Sequence, residues 1–255
     1  MNLVELINNL TPCVLRAGKR IMDIYQSDAK KDFKKDGSPV TEADKGAERI
    51  ILKELKKLIP EIPVISEENV ASHSKIPPRQ FFLVDPLDGT KEFLKKDGLG
   101  SFTVNIGLIE SNVPTMGIVF APALGRLFYG CKSSGAWEYT DGEKTKICVG
   151  KPKNSEIIAL ASASHRDKET NNWLKEHKIT DTTSIGSSLK FCLVASGQAD
   201  VYPRFGPTME WDTAAGDAIL RAAGGKTTNP DLSNFVYGKC SYKNGAFIGW
   251  GSYQE

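Results

Sequence analysis

Leu3, Ile7, Leu10, Val14, Ala17 and Ile21 recur at alternating spacings of four and three, which gives an N-terminal helix one apolar face despite Pro12. A second stripe, Ala47, Ile51, Leu55 and Leu58, predicts a helix that begins at Thr41 and ends at Pro60. From Val64 to Phe120 the period becomes that of strands. Ile62 to Ile65 and Phe81 to Val84 are short apolar runs, and Phe102, Val104, Ile106 and Leu108 alternate with Val113 to Phe120 as the hairpin partner. Leu127 to Cys131 and Ala136 to Tyr139 extend that sheet. Lys151-Pro152-Lys153-Asn154-Ser155 is a polar break. After it strands and helices alternate: Ile157 to Ala161, Glu169 to His177, Ser188 to Ala195, Ala199 to Tyr202, Thr213 to Ala223 and Ala246 to Trp250. The pattern predicts an α/β protein of two subdomains, 1–150 and 151–255, with a ligand cleft between them.

Composition narrows the class of function. At 255 residues the chain has ample core for such a fold, and a net charge of +2 argues against a surface that coats a nucleic-acid polymer. Cys13, Cys131, Cys148, Cys192 and Cys240 are odd in number and lack close pairing, as in a reduced, cytoplasmic protein. No apolar run reaches the length of a transmembrane segment, and no secretory leader opens the sequence. Peripheral attachment at the inner membrane stays open, as does the choice between monomer and homodimer.

The candidate chemistry is concentrated in Asp85-Pro86-Leu87-Asp88-Gly89-Thr90. The preceding strand delivers Asp85 to its carboxyl end, and the turn adds a second carboxylate, the Leu87 carbonyl, a glycine and a hydroxyl. Hard divalent cations take oxygen ligands and keep several waters, so a few protein oxygens completed by substrate phosphate make a site. Gly89 lets the backbone approach a phosphate, and Thr90 offers hydroxyl and amide to an anion. The plainer alternative is an Asp-rich turn bonded to its own amides.

Other acidic pieces carry similar pairs of readings. Glu67, after the run Ile62 to Ile65, is a ligand at a second strand end or a solvated loop residue. Asp44 completes a helix capping box with Thr41, and it also suits orientation of the Thr90 hydroxyl. Asp212, before the small-residue run Thr213-Ala214-Ala215-Gly216, reads as an N-cap or as a ligand reaching the cleft. Thr182 to Lys190 reads as a hydroxyl-rich turn that opens a helix, where amides and Lys190 suit a second anion; an ordinary cap with a solvated lysine is the alternative. His165 and Arg204 are candidates for the same anion or plain surface residues.

Taken together, Ser66-Glu67-Glu68, Asp85 to Phe93 and Trp211 to Gly216 resemble the inositol monophosphatase superfamily of Mg²⁺-dependent, lithium-sensitive phosphatases. Lys91-Glu92-Phe93, Gly186 to Cys192 and Tyr202 to Thr208 are similar to its CysQ branch, the 3′(2′),5′-bisphosphate nucleotidases. The resemblance implies a layered αβαβα sandwich. It implies removal of the 3′-phosphate of adenosine 3′,5′-bisphosphate, with its sulfated form as a further nucleotide substrate, in clearing a by-product of sulfur assimilation. It implies two or three Mg²⁺ ions: Glu67, Asp85 and the Leu87 carbonyl on one, Asp85, Asp88 and Asp212 on another. Thr90 and Asp44 would orient or deprotonate the attacking water, with Glu67 in the catalytic set. Leu87, Asp88, Gly89, Thr90 and Asp212 would surround the scissile phosphate, and Gly186, Ser187, Lys190, His165 and Arg204 would recognise the nucleotide. An inositol phosphate or fructose 1,6-bisphosphate phosphatase is the nearest alternative. A silent nucleotide-binding regulator is the alternative from another class, which would have no use for five retained acids.

Overall fold

The computed structural model describes residues 2–26, 31–33, 39–73, 76–95, 99–151, 157–162 and 166–253, with backbone alone at 31–33 and 39–41. Helix α1 (Leu3–Tyr25) starts where the Asn2 side chain accepts from the amides of Val4 and Glu5. It buries Leu6, Ile7, Leu10, Val14, Ala17 and Ile21, the stripe read from the sequence plus Leu6 in place of Leu3. Pro12 is exposed, as is Asn8, whose carbonyl has lost its helical donor, so water can satisfy that carbonyl and the helix continues. Strands β1 (Lys31–Phe33) and β2 (Pro39–Thr41) pair antiparallel. Helix α2 (Glu42–Leu58) then packs on α1; it begins one residue later than predicted, because Thr41 closes β2, and the Thr41 side chain of the proposed capping box lies outside the described residues.

A seven-stranded sheet follows in spatial order β3 (Val64–Ser66), β4 (Gln80–Asp88), β5 (Thr103–Glu110), β6 (Val113–Ala121), β7 (Arg126–Cys131), β8 (Gly135–Thr140) and β9 (Glu143–Ile147). Only the first pair is parallel. Short helix α3 (Thr90–Lys95) interrupts it after β4. Both faces of this sheet are covered, which is why its strands read as apolar runs. Phe82 and Val84 pack with α1 and α2, while their neighbours Phe81 and Leu83 join the core on the other side.

The second sheet runs β11 (Asp181–Ile185), β10 (Ile158–Ser162), β12 (Val201–Arg204), β16 (Phe247–Trp250), β14 (Lys226–Thr228), and a two-stranded pair joins β13 (Thr208–Met209) to β15 (Lys243–Asn244). Helices α5 (Leu189–Ala195) and α6 (Glu210–Ala222) lie between the two sheets, and α4 (Lys168–Glu176) covers the outer face of the second through Trp173 and Leu174. The layers are therefore αβαβα. Strand β11 corrects the reading of Thr182 to Ile185 as part of a turn: its burial is slight and its hydroxyl side chains hide the strand pattern of an edge that pairs only with β10. No described helix is long and apolar enough to cross a membrane.

Helix α6 rests on glycines of the first sheet. A methyl group at Gly107 would lie 2.8 Å from the Ala214 Cβ, and one at Gly117 would lie 2.0 Å from the Ala215 carbonyl oxygen. These two bare positions let the small-residue start of α6 sink against β5 and β6.

Candidate active site

The turn after Val84 is a bulge in β4. Asp85 stands opposite Asn105 and Asp88 opposite Thr103, so β4 carries one residue more than its partner over that interval. The extra residue re-aims the strand end. Asp85 is 1% exposed and its Oδ1 accepts from the Leu87 amide at 3.0 Å. The Leu87 carbonyl accepts from the Thr90 hydroxyl at 3.2 Å, which leaves it one further lone pair. Gly89 has φ +89°, and a methyl group there would meet the Ser101 carbonyl oxygen at 3.1 Å, so glycine is what permits Thr90 to open α3 directly behind Asp88.

Three elements bring carboxylates to this bulge. Glu67 leaves β3 with its amide bonded to the Val84 carbonyl at 3.1 Å, and Asp212 comes from the first turn of α6. Carboxylate oxygens of Glu67, Asp85 and Asp212 lie within 4.8 Å of one another. Of the two readings of Asp212, the N-cap does not hold: α6 begins at Glu210, and Asp212 Oδ2 accepts from the Met209 amide at 2.8 Å, a backward cap from inside the helix. Glu210, the extra acid beside it, points away; it is fully buried and accepts from the amides of Gly238 and Lys239 and from the Lys239 ammonium at 2.7 Å. Asp44 is buried in the first turn of α2 and adds to the negative potential at Asp85.

Burial first, then the charges of Glu67, Asp88, Asp212 and Asp44, push the Asp85 carboxyl well above the usual carboxylate range. Asp212 is raised too, by burial and then by Asp88 and Glu67. Asp88 is raised to about 6 by burial, against the pull of Lys190 and the amide of Ser188. Acids held so close resist ionisation until a cation joins them. The donor set is all oxygen, carboxylates with a main-chain carbonyl at hand, which fits a hard divalent cation such as Mg²⁺.

Glu67, Asp88 and Asp212 line a cleft of about 340 Å³ together with Gly89, Thr90, Gly186, Ser187, Lys190, Tyr202 and Arg204. Gly186 packs rather than opens: a methyl group there would be 2.8 Å from the Ser101 carbonyl oxygen and from Glu92 Cγ. Ser187 has φ +53°, the left-handed region. Lys190 is not a solvated lysine; it is 3% exposed, its ammonium donates to the carbonyls of Ile185 at 3.2 Å and Ser187 at 2.5 Å, and burial lowers its pKa to about 8. Arg204 donates to the carbonyls of Gly206 and Pro207. His165 lies outside the described residues.

Sequence reasoning missed the polar layer under the turn. Ser188 donates from Oγ to Asn105 Oδ1 at 2.6 Å and shares a hydrogen bond with Thr103. The signal was present: Thr103 and Asn105 are polar residues within a strand buried on both faces.

The whole chain, residues 2–254, matches the inositol monophosphatase family. A 3′(2′),5′-bisphosphate nucleotidase CysQ of Salmonella typhimurium is 47% identical over 215 residues, covering 82% of this chain and 84% of that protein. The enzyme of the same name from Buchnera aphidicola is 41% identical with 97% of both chains covered. Among solved structures, CysQ from Bacteroides thetaiotaomicron superimposes with a TM-score of 0.83 at 35% identity, over 98% of each chain. With an αβαβα core and three strand-end and helix-start acids meeting at a bulged turn, this chain belongs to the CysQ branch of the inositol monophosphatase family.

Proposed function

We propose that this phosphatase removes the 3′-phosphate of adenosine 3′,5′-bisphosphate, yielding AMP and phosphate, with Mg²⁺ held by Glu67, Asp85, Asp212, Asp88 and the Leu87 carbonyl. The convergence of the Glu67, Asp85 and Asp212 oxygens within 4.8 Å, with Glu67 and Asp212 lining the cleft, carries the reading. When bound, Mg²⁺ supplies the charge that acidifies an attacking water and offsets the charge growing on the leaving oxygen. The protein's own groups do the rest. Gly89 and the amide end of α3 at Thr90 receive the scissile phosphate, and Thr90 with Asp44 orients the water and takes up its proton.

The substrate branch rests on two cations that line the same cleft as the acids. Lys190 and Arg204 stand among the cleft residues beside Asp88 and Asp212, which suits a second anionic group that a monophosphate lacks. The relatives named as bisphosphate nucleotidases support the same choice. We place the activity in clearance of a sulfur-assimilation by-product, in the cytoplasm, where five unpaired thiols stay reduced.

Phosphate release from adenosine 3′,5′-bisphosphate, inositol 1-phosphate and fructose 1,6-bisphosphate, each with Mg²⁺ and with a chelator, tests the proposal. Mg²⁺-dependent preference for the nucleotide is expected. Preference for a sugar phosphate overturns the nucleotide branch, and hydrolysis that survives chelation overturns the metal site.

A further inference from the structure

We infer that His73 is a positioning residue that holds two metal-ligand segments, distant in sequence, in mutual register; this rests on the reading of Glu67 and Asp212 as ligands. Its Nε2 lies 2.9 Å from the carbonyl oxygen of Ser66, the residue before Glu67. A carbonyl only accepts, so Nε2 carries the proton and the imidazole donates. The same ring stacks on Trp211, the residue before Asp212, with centroids 4.9 Å apart and planes at 26°. One imidazole therefore touches the immediate neighbour of each ligand, through a directional bond on one side and a ring face on the other.

The attachments around it are of two kinds. Ser66 is already tied within its own half: Oγ donates to Glu48 of α2 at 2.5 Å, and its amide donates to Ser72 Oγ at 3.0 Å. Trp211 is fixed by burial at the start of α6 and by Tyr242, whose ring lies 6.2 Å away. Those contacts steady each segment separately. His73 spans the two, so it sets the distance between Glu67 and Asp212 before any cation arrives. Outer partners of this kind act on metal affinity, because a ligand pair that is already in place loses less freedom on binding.

The test is direct Mg²⁺ binding by calorimetry, with kcat at saturating Mg²⁺ measured beside it. His73→Ala is expected to weaken Mg²⁺ about tenfold while kcat at saturation stays within about twofold. His73→Phe keeps the ring face without the donor, His73→Gln keeps a donor without the stack, and each should fall between parent and alanine variant. Melting in chelator identifies any variant that fails to fold, and the phenylalanine variant preserves the apolar contact if alanine does. Unchanged Mg²⁺ affinity in all three variants overturns the inference, as does a fall in kcat that saturating Mg²⁺ cannot restore. A parent protein that binds no Mg²⁺ overturns the metal reading itself, a result distinct from variants that match a binding parent.

Discussion

The backbone amide of Ser188 donates to Asp88 Oδ2 at 2.6 Å, joining the turn before α5 to the end of β4 across 100 residues of chain. One carboxylate oxygen of Asp88 is thereby committed to the protein, while the residue itself lines the cleft. Asp88→Asn keeps an acceptor for Ser188 but removes the charge. We expect turnover to fall roughly a hundredfold or more, equivalent to about 3 kcal/mol of lost charge stabilisation, with the fold intact. Near-parental hydrolysis by the purified variant would sink the assignment of Asp88 as a ligand.

The same acid predicts a pH dependence for the metal-free protein. Asp88 has its folded pKa raised from 3.8 to about 6, so between those values the folded state holds more protons than the unfolded state. Stability from this group is then greatest below about 4, falls as pH rises towards about 6, and is flat above. In chelator, Asp88→Asn should therefore match its parent near pH 4 and exceed it by on the order of 2 kcal/mol at pH 7, a figure lowered for partial solvent access. Adding Mg²⁺ at pH 7 should reverse the order. Denaturant melts at the two pH values decide it, and an advantage for the variant that grows towards acid pH would contradict the sign.

How much of this could be read from the chain depends on which force acts at each place. The helices α1 and α2 and the central strands were legible because large apolar side chains repeat at the period of the element that buries them. Glu67, Asp85 and Asp212 were legible as candidates because each follows or opens an element with a clear pattern. That they meet was implied by the family resemblance and not by the pattern of the chain, since their approach within 4.8 Å depends on a one-residue bulge and on α6 sinking onto Gly107 and Gly117. Strand β11 was hidden by its exposed hydroxyl side chains, and the burial of Lys190 by the usual preference of lysine for water.

Lys190 gives a prediction that separates its structural and electrostatic roles. Its ammonium holds the carbonyls of Ile185 and Ser187 and lowers the pKa of Asp88. Lys190→Met removes both effects, leaving a left-handed Ser187 without its clamp and an Asp88 that ionises less readily. The KM for adenosine 3′,5′-bisphosphate should rise about tenfold or more, as expected when one charge-assisted contact is lost. The Mg²⁺ needed for half-maximal rate at pH 6 should rise as well, because Asp88 is protonated over a wider range. Steady-state kinetics at pH 6 and pH 8 test this; equal Mg²⁺ requirements in variant and parent at both would remove Lys190 from the electrostatics of the site.

Gly117 tests whether the depth of α6 sets the geometry of the acids. A Cβ there would lie 2.0 Å from the Ala215 carbonyl oxygen and 3.0 Å from its Cα, both backbone atoms of α6 that cannot turn aside as a side chain would. Gly117→Ala must push the helix outward, and overpacking of this kind costs about 1–3 kcal/mol. The displaced helix carries Asp212, whereas Glu67 and Asp85 stay with the first sheet. The variant should therefore melt lower and also bind Mg²⁺ more weakly at temperatures where it is fully folded. Gly125 supplies the control, since it has positive φ but nothing within 4 Å of an added Cβ: Gly125→Ala should lose stability through backbone strain alone and keep its Mg²⁺ affinity. If both variants lose stability and neither loses Mg²⁺ affinity, the separation of Asp212 from the other two acids is not governed by how deeply α6 is seated.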